Sequence, residues 1–312
     1  MSAQVLEASI PAVAGAAGAA PSVAAAPASP ILTAAQIALY EREGLLNAGQ
    51  VLTMPEVEVL RAELTRVLAD QHDKAKPQPY RLTNMGKDAS TPVWQVVNIW
   101  MASEAFRDLV HHPRIVGVVQ QATGAKELRL WHDQVQYKPA ECGGINAWHQ
   151  DNPYWAPLAP AGTQITAWLA LDDVDDDNGC MSMVPGSHKW GDAIPFLHAI
   201  KDFDAVPADY QGHEVHVVRT PVRAGSLHLH HPYTWHGSHA NRSGRPRRAI
   251  ALHFMTDGVQ LVPAKRLHHI LGSTITSRDD EPVDGPLFMR VFPFDRAQRP
   301  ALASVAKHRD RE

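Results

Sequence analysis

The sequence predicts a mainly β domain, an antiparallel sandwich or barrel, with helices flanking it on the N-terminal side. Three observations carry this expectation. Up to Gly124 the apolar residues recur at i, i+3, i+4 spacing, the period of a one-sided helix. After Gly124 they alternate, as in Leu128-Arg-Leu-Trp-His-Asp-Gln-Val-Gln-Tyr137. The alternating runs are short and separated by Gly143-Gly144, Asn178-Gly179, Pro185-Gly186, Ala224-Gly225 and Gly244, turn signals of an all-β architecture.

Residues 1–30 are mostly Ala, Pro, Gly and Ser with almost no charge. The stretch from Ala8 to Tyr40 is uncharged, but prolines at 11, 21, 27 and 30 interrupt it. Alanine and glycine transfer too weakly to hold it in a bilayer. The first basic residue is Arg42, so the basic start of a secretory signal is missing. A disordered tail is expected, with a cleaved targeting peptide as the sharper alternative. Gly-Ala-Ala-Gly-Ala-Ala within it is low complexity and not a dinucleotide loop, because no strand precedes it.

Order is expected from Ile31. Thr33 with Gln36, and Thr53 with Glu56, have the three-residue spacing of capping boxes, in which each side chain satisfies the other residue's backbone N–H. Behind the second, Val57, Leu60, Leu64, Val67 and Leu68 form the apolar face of a helix ending near Asp70. Residues 71–92 are polar and irregular and read as a mobile loop. Ser103 caps a third helix with Phe106, Leu109 and Val110 on its stripe. A fourth follows Pro113 and stops at Gly124. Strands are expected at 128–137, 164–171, 180–184, 215–218, 226–230 and 247–254. The organisation is a tail at 1–30, one domain at 31–256 (helical over 31–124, β over 125–256), and an extension at 257–312 packed on it or partly mobile.

Twenty-nine basic against 33 acidic residues in 312 leave a net charge of −4, without the basic field that drives nucleic-acid binding. Cys142 and Cys180 cannot build a disulfide framework or a thiolate zinc site by themselves, and are expected as free thiols of a cytoplasmic protein. The anomaly is 18 histidines. A metal held by this chain would take imidazole and carboxylate.

Trp148-His149-Gln150-Asp151 offers both. In a strand, residues i and i+2 face one side, so His149 and Asp151 share a cavity and Gln150 points away. One imidazole and one carboxylate are two of the three ligands of the facial triad that suits non-haem Fe(II). Taken alone, the pair is also what a polar loop shows by chance. The third ligand should come from a distant strand, and residues 226–239 hold five histidines. His236 is favoured because Gly237 allows close backbone approach. Arg247 opens the next strand, where a guanidinium can grip the far carboxylate of a dicarboxylate cosubstrate bidentately. His230 and His231 are the alternatives.

His149-x-Asp151, His236-Gly-Ser and Arg247, with Asn178-Gly-Cys-x-x-x-x-Pro-Gly-Ser-His188 between them, resemble the phytanoyl-CoA hydroxylase (phytanoyl-CoA dioxygenase) family of Fe(II)/2-oxoglutarate-dependent oxygenases. The resemblance covers about residues 31–256. It implies a double-stranded β-helix, a cupin-like jelly roll, at 125–256. It implies that His149, Asp151 and His236 are the iron ligands and catalytic centre. Arg247 then binds the 2-oxoglutarate C5 carboxylate with Ser238 beside it, and His132, Gln134 and Trp168 line the cosubstrate pocket. Lys138 and Arg248 are further basic candidates, Arg248 facing away from Arg247. The implied cofactors are Fe(II), 2-oxoglutarate and O₂, with ascorbate helpful in vitro. The implied reaction hydroxylates an unactivated C–H bond of a small organic substrate and releases succinate and CO₂. The Asp151 carboxylate argues against halogenation, because related halogenases lack it. Desaturation, cyclisation or epimerisation at the same centre stays open. The reading from another class is a jelly-roll binding protein with a vestigial metal site, which the complete ligand set disfavours.

Asn98, Trp100, Asn152, Tyr154, Trp155 and Trp235 are candidates for the substrate pocket, and 71–92 and 189–212 for lids. Lys74, Lys76, Arg81 and Lys87 are too few to suggest a CoA ester, so a CoA-free small molecule is expected, with neither nucleic acid nor membrane as partner. Asp172-Asp-Val-Asp-Asp-Asp177 lacks the spacing of a calcium loop and reads as a solvated turn. Asn241-Arg-Ser243 matches a glycosylation sequon. His111-His112 and His268-His269 read as surface pairs. Met289–Phe294 packs back on the domain or makes a dimer contact, so a monomer or homodimer is expected.

Overall fold

The computed structural model describes residues 31–86, 90–279 and 281–294. The expected tail at 1–30, Lys87 and residues 295–312 lie outside the described residues.

Among the described residues there are five helices, α1 (Ala34–Glu43), α2 (Met54–Ala69), α3 (Glu104–Val110), α4 (Pro113–Thr123) and α5 (Ile194–Ala199). Both capping boxes close, at Thr33/Gln36 and Thr53/Glu56. The Ser103 hydroxyl accepts from Phe106 N at 3.4 Å. Gly124 ends α4 at φ +66°, a left-handed position that glycine adopts without steric penalty.

The strands run β1 (Leu45–Gln50), β2 (Arg81–Asn84), β3 (Trp94–Val97), β4 (Leu128–Lys138), β5 (Asn146–His149), β6 (Leu158–Ala159), β7 (Gln164–Ala170) and β8 (Met181–Met183). They continue as β9 (Asp209–Tyr210), β10 (His213–Glu214), β11 (Val218–Thr220), β12 (Ser226–His230), β13 (His236–Ser238), β14 (Arg247–Met255), β15 (Gln260–Leu261) and β16 (Arg290–Phe292). The large antiparallel sheet has the order β1-β12-β7-β14-β4-β3-β2, with β16 also pairing β4. The smaller sheet is β11-β8-β13-β5. Together they form the jelly roll, and the site lies between them.

Alternation along the large sheet decides what each face does. Leu130, Ile165, Leu169, Leu227, Leu229, Ile250, Leu252 and Phe254 join Val57, Leu60 and Leu64 of α2 and Ile115, Val118 and Val119 of α4 in one buried apolar cluster. The residues between them face the other way, toward the small sheet. Cross-strand register lines these into rows: His132–His253–Thr166–His230, Gln134–Ala251–Trp168–His228, and Arg247 opposite Lys138. One face thus stabilises the fold while the other carries buried polar groups.

Three expectations need correction. The segment 31–124 is not purely helical, because β1, β2 and β3 join the large sheet. Leu45-Leu-Asn-Ala-Gly-Gln50 escapes a period-2 reading because a register shift at Asn47/Gly49 breaks its alternation. Residues 71–92 contain β2 and are not a single loop. The strand expected at 215–218 lies at Val218–Thr220 instead, Val215 packing against the cluster around Trp235. Over 257–294 the extension packs on the domain, one of its two expected states: Leu271, Ile275, Val283, Leu287, Phe288, Met289 and Val291 enter the main core.

Candidate metal centre

The three candidate ligands converge from the small sheet. His149 ends β5, His236 opens β13, and the two are register partners. Asp151 lies just past β5, at the helical cap of the turn Asn152–Tyr154 rather than in the strand. Its carboxylate still turns to the histidines. Gln150 points the other way: it donates to Gly191 O and Tyr233 O and accepts from Ala193 N.

One ligand atom from each of His149, Asp151 and His236 lies within 4.8 Å of the others. Asp151 Oδ1 is 3.8 Å from His149 Nε2 and 3.6 Å from His236 Nε2. His149 Nδ1 donates to Ala147 O at 2.8 Å and His236 Nδ1 to Thr234 O at 2.9 Å. Each bond puts the imidazole proton on Nδ1 and leaves the Nε2 lone pair toward the cavity. Burial first, then a neighbouring imidazole, lowers both rings to about 4, so both are neutral near pH 7. Burial alone would raise Asp151, but His236, His230 and His253 around it hold it well below the usual carboxylate range. Two neutral imidazoles and a carboxylate fit a divalent first-row metal such as Fe(II).

The other carboxylate oxygen, Oδ2, accepts from Thr166 Oγ1 at 2.7 Å and from His230 Nε2 at 3.1 Å. Thr166 Oγ1 in turn accepts from His253 Nδ1 at 2.9 Å. His230, an alternative for the third ligand, therefore holds the carboxylate from behind. His231 lies toward His188 and Tyr233. Thr166 and His253 were not expected. Alternation puts them on one face of their strands but does not say that this face looks at the metal.

The cavity is lined by the three candidate ligands with Gln134, Gln136, Asn146, Thr166, Trp168, Met181, Ser238 and Ala251, among others. Arg247 lies behind Ser238, fully buried, with Nη2 3.3 Å from Ser238 Oγ and its guanidinium carbon 5.9 Å from the Trp168 ring centre. Its Nε has no partner. Burial lowers Arg247 to about 10. Neither Arg247 nor the fully buried Lys138 forms an ion pair with a described carboxylate. A positive end without its anion is what a dicarboxylate cosubstrate would complete. Arg248 faces away and binds Asp172 through Nε and Nη2, at 2.9 and 2.7 Å.

Other expected residues lie elsewhere. His132 does not line the cavity; its ring stands 4.4 Å from that of His253, with His269 and Trp155 beyond. Trp155 packs on His253 at 4.9 Å. Tyr154 is half exposed, 6.4 Å from the His149 ring, and bonded to His198 Nε2 at 2.8 Å. Asn152 braces its own loop through Gly162 N and Tyr233 Oη. Trp235 packs in a separate cluster with Trp190, Phe196 and Tyr210. Asn98 and Trp100 are buried away from the cavity, because Asn98 at φ +51° turns the chain inward so that Ile99 N and Trp100 N cap the Asp133 carboxylate. Asn241, the sequon residue, is buried and bonded to Pro139 O and Arg245 O. Of the expected surface histidines, His111 is buried and the His269 ring lies tilted 4.7 Å from that of Trp131.

The phytanoyl-CoA dioxygenase (PhyH) family model matches residues 40–249. The mouse peroxisomal phytanoyl-CoA dioxygenase is 26% identical over 249 residues, 74% of this chain and 71% of that protein. The ectoine dioxygenase of Halomonas elongata is 30% identical over 231 residues, 69% and 68% of the two chains. Among solved structures, the non-haem α-ketoglutarate-dependent carbocyclase SnoK from nogalamycin biosynthesis is similar at 28% identity and TM-score 0.67, covering 83% of this chain and 96% of its own. The epimerase SnoN, in complex with Fe3+, α-ketoglutarate and nogalamycin RO, is similar at 28% identity and TM-score 0.64, covering 82% and 97%. The chain belongs to the phytanoyl-CoA dioxygenase family of Fe(II)/2-oxoglutarate-dependent oxygenases.

Proposed function

We propose that this protein hydroxylates an unactivated C–H bond of a small, CoA-free organic molecule in the cytoplasm, as a monomer or homodimer, with O₂ as co-reactant and ascorbate supporting turnover in vitro. The observation that carries the reading is the complete set: Nε2 of His149 and His236 facing Asp151 Oδ1, with Arg247 and Ser238 at the cavity's far end. Fe(II) held there supplies O₂ activation coupled to conversion of 2-oxoglutarate to succinate and CO₂. The chain's own residues do the rest. Ala147 O and Thr234 O fix the two imidazoles. Thr166 and His230 hold Oδ2, so the carboxylate presents Oδ1. Arg247 and Ser238 take the far carboxylate of the cosubstrate, with Trp168 packed on the guanidinium.

Tyr154 and His198, joined at 2.8 Å on the exposed side of His149, are the polar groups offered to an incoming substrate. The short supply of basic side chains at Lys74, Lys76 and Arg81 supports a CoA-free molecule. Among the described residues no helix is long and apolar enough to cross a membrane. Carbocyclisation or epimerisation is the second reading, carried by the likeness to SnoK and SnoN.

The test is succinate formation with Fe(II), 2-oxoglutarate and ascorbate across candidate small molecules, with product masses. Hydroxylation adds one oxygen, oxidative cyclisation removes two hydrogens, and epimerisation leaves the mass unchanged. Absence of both 2-oxoglutarate binding and succinate would favour a binding protein instead.

A further inference from the structure

We infer that Lys138 is a positioning residue of the cosubstrate pocket, fixing the Ser238 hydroxyl as a hydrogen-bond donor to the far carboxylate. The inference rests on the 2-oxoglutarate reading above. Lys138 stands directly opposite Arg247 across β4 and β14, and both are fully buried. Its Nζ donates to Ser238 Oγ at 2.7 Å, to Ser238 O at 3.1 Å and to His239 O. Two of these partners are carbonyls that only accept; in the ammonium form the third N–H meets the Ser238 hydroxyl oxygen.

Ser238 Oγ also accepts from Arg247 Nη2 at 3.3 Å. A hydroxyl oxygen has two lone pairs, and two cations occupy both. Its single proton must point elsewhere. Asn146 Oδ1, on the cavity wall, is 3.4 Å away, a long contact that leaves the donor nearly unspent. A carboxylate seated against Arg247 therefore meets a hydroxyl already turned to donate. Without the lysine, the hydroxyl is free to rotate and spend its proton on a backbone carbonyl. Burial, and then the neighbouring guanidinium, push Lys138 well below the ordinary lysine range; an anion in the pocket opposes both effects.

The experiment is calorimetric titration of 2-oxoglutarate into anaerobic Fe(II)-loaded protein, for wild type, Lys138→Met, Lys138→Arg, Ser238→Ala and the Lys138→Met/Ser238→Ala double variant. Lys138→Met is expected to weaken 2-oxoglutarate by about tenfold with Fe(II) affinity unchanged, and Lys138→Arg by less. The double variant is expected to bind no worse than Ser238→Ala alone, because the lysine acts through that hydroxyl. Wild-type affinity in Lys138→Met, or losses that multiply in the double variant, would overturn the inference. Where methionine is not tolerated by the fold, Lys138→Gln carries the same comparison. Failure of the wild type to bind 2-oxoglutarate overturns the underlying reading; normal wild-type binding with an unchanged Lys138 variant overturns this inference alone.

Discussion

His230 donates its Nε2–H to Asp151 Oδ2 at 3.1 Å, and so helps decide which oxygen of that carboxylate faces the two ligand histidines. The donor is assigned by chemistry: an ionised carboxylate only accepts. His230 thus contacts the candidate ligand Asp151 while standing outside the His149, Asp151 and His236 group. His230→Leu is expected to cost about 10–100-fold in Fe(II) affinity, the usual penalty for removing a group that orients a ligand. His231→Leu, one residue along the chain and directed away, should leave it intact. Direct Fe(II) titration of both variants checks this, and equal effects would refute it.

Thr166 makes the shorter bond to the same oxygen, 2.7 Å, and passes the contact on to His253. Thr166→Val keeps the shape and removes the hydroxyl. A loss of about tenfold or more in metal affinity is expected, with Thr166→Ser close to wild type. Equal affinities for Val and Ser would show that the hydroxyl is irrelevant. Asp151→Gly removes the charged ligand itself, and turnover is expected to vanish even at saturating iron.

The two neighbouring arginines separate by function. Arg247→Met is expected to abolish 2-oxoglutarate binding while Fe(II) still binds. Arg248→Met loses only the Asp172 pairing, at a cost of about 1 kcal/mol of stability, with cosubstrate affinity unchanged. Paired melting curves and 2-oxoglutarate titrations distinguish them.

Ala251 lies between Gln134 and Trp168 in one cross-strand row on the cavity wall. Ala251→Leu fills that space. The expected result is intact metal binding with 2-oxoglutarate excluded, read as loss of succinate formation; a normal KM for 2-oxoglutarate would contradict the placement.

Acid should destabilise the metal-free protein steeply. Burial, with help from neighbouring imidazoles, holds His132 and His228 at about 3 and His149 and His236 at about 4. In the unfolded chain these groups titrate near 6.5. Between about pH 6.5 and 3 the unfolded state binds protons that the folded state refuses. Stability is therefore complete above that window and falls as pH drops through it. Denaturant melts across the window should show uptake of more than one proton on unfolding. A flat profile would mean that these imidazoles are not buried.

Helices α1 to α4 were legible because their signals are local: Thr33, Thr53, Ser103 and Gly124 each mark an end within four residues. Helix α5, inside the 189–212 stretch read as a lid or loop, was not: its N-cap is Ala193, which carries no capping side chain. Strands β1, β2 and β3 were not, being short and, in β1, broken by a bulge. His149, Asp151 and His236 were legible as residue types at a spacing, even though Asp151 proved to lie beyond its strand. Thr166, His230 and His253 required the register, because alternation tells which residues share a face but not what that face meets. His132 was placed one ring too close, since His253 stands between it and the Asp151 carboxylate. Most of the described histidines thus lie buried away from the candidate ligands or at the surface.

On the proposed reading, His149, Asp151 and His236 hold an Fe(II) that 2-oxoglutarate then chelates. Anaerobic titration of the Fe(II)-loaded protein with 2-oxoglutarate, followed by visible absorption, tests it most directly. A metal-to-ligand charge-transfer band that saturates at one equivalent in the wild type, and is absent in His149→Ala, Asp151→Ala and His236→Ala, is the expected result. A band of undiminished intensity in any of these variants, or none in the wild type, would contradict the account.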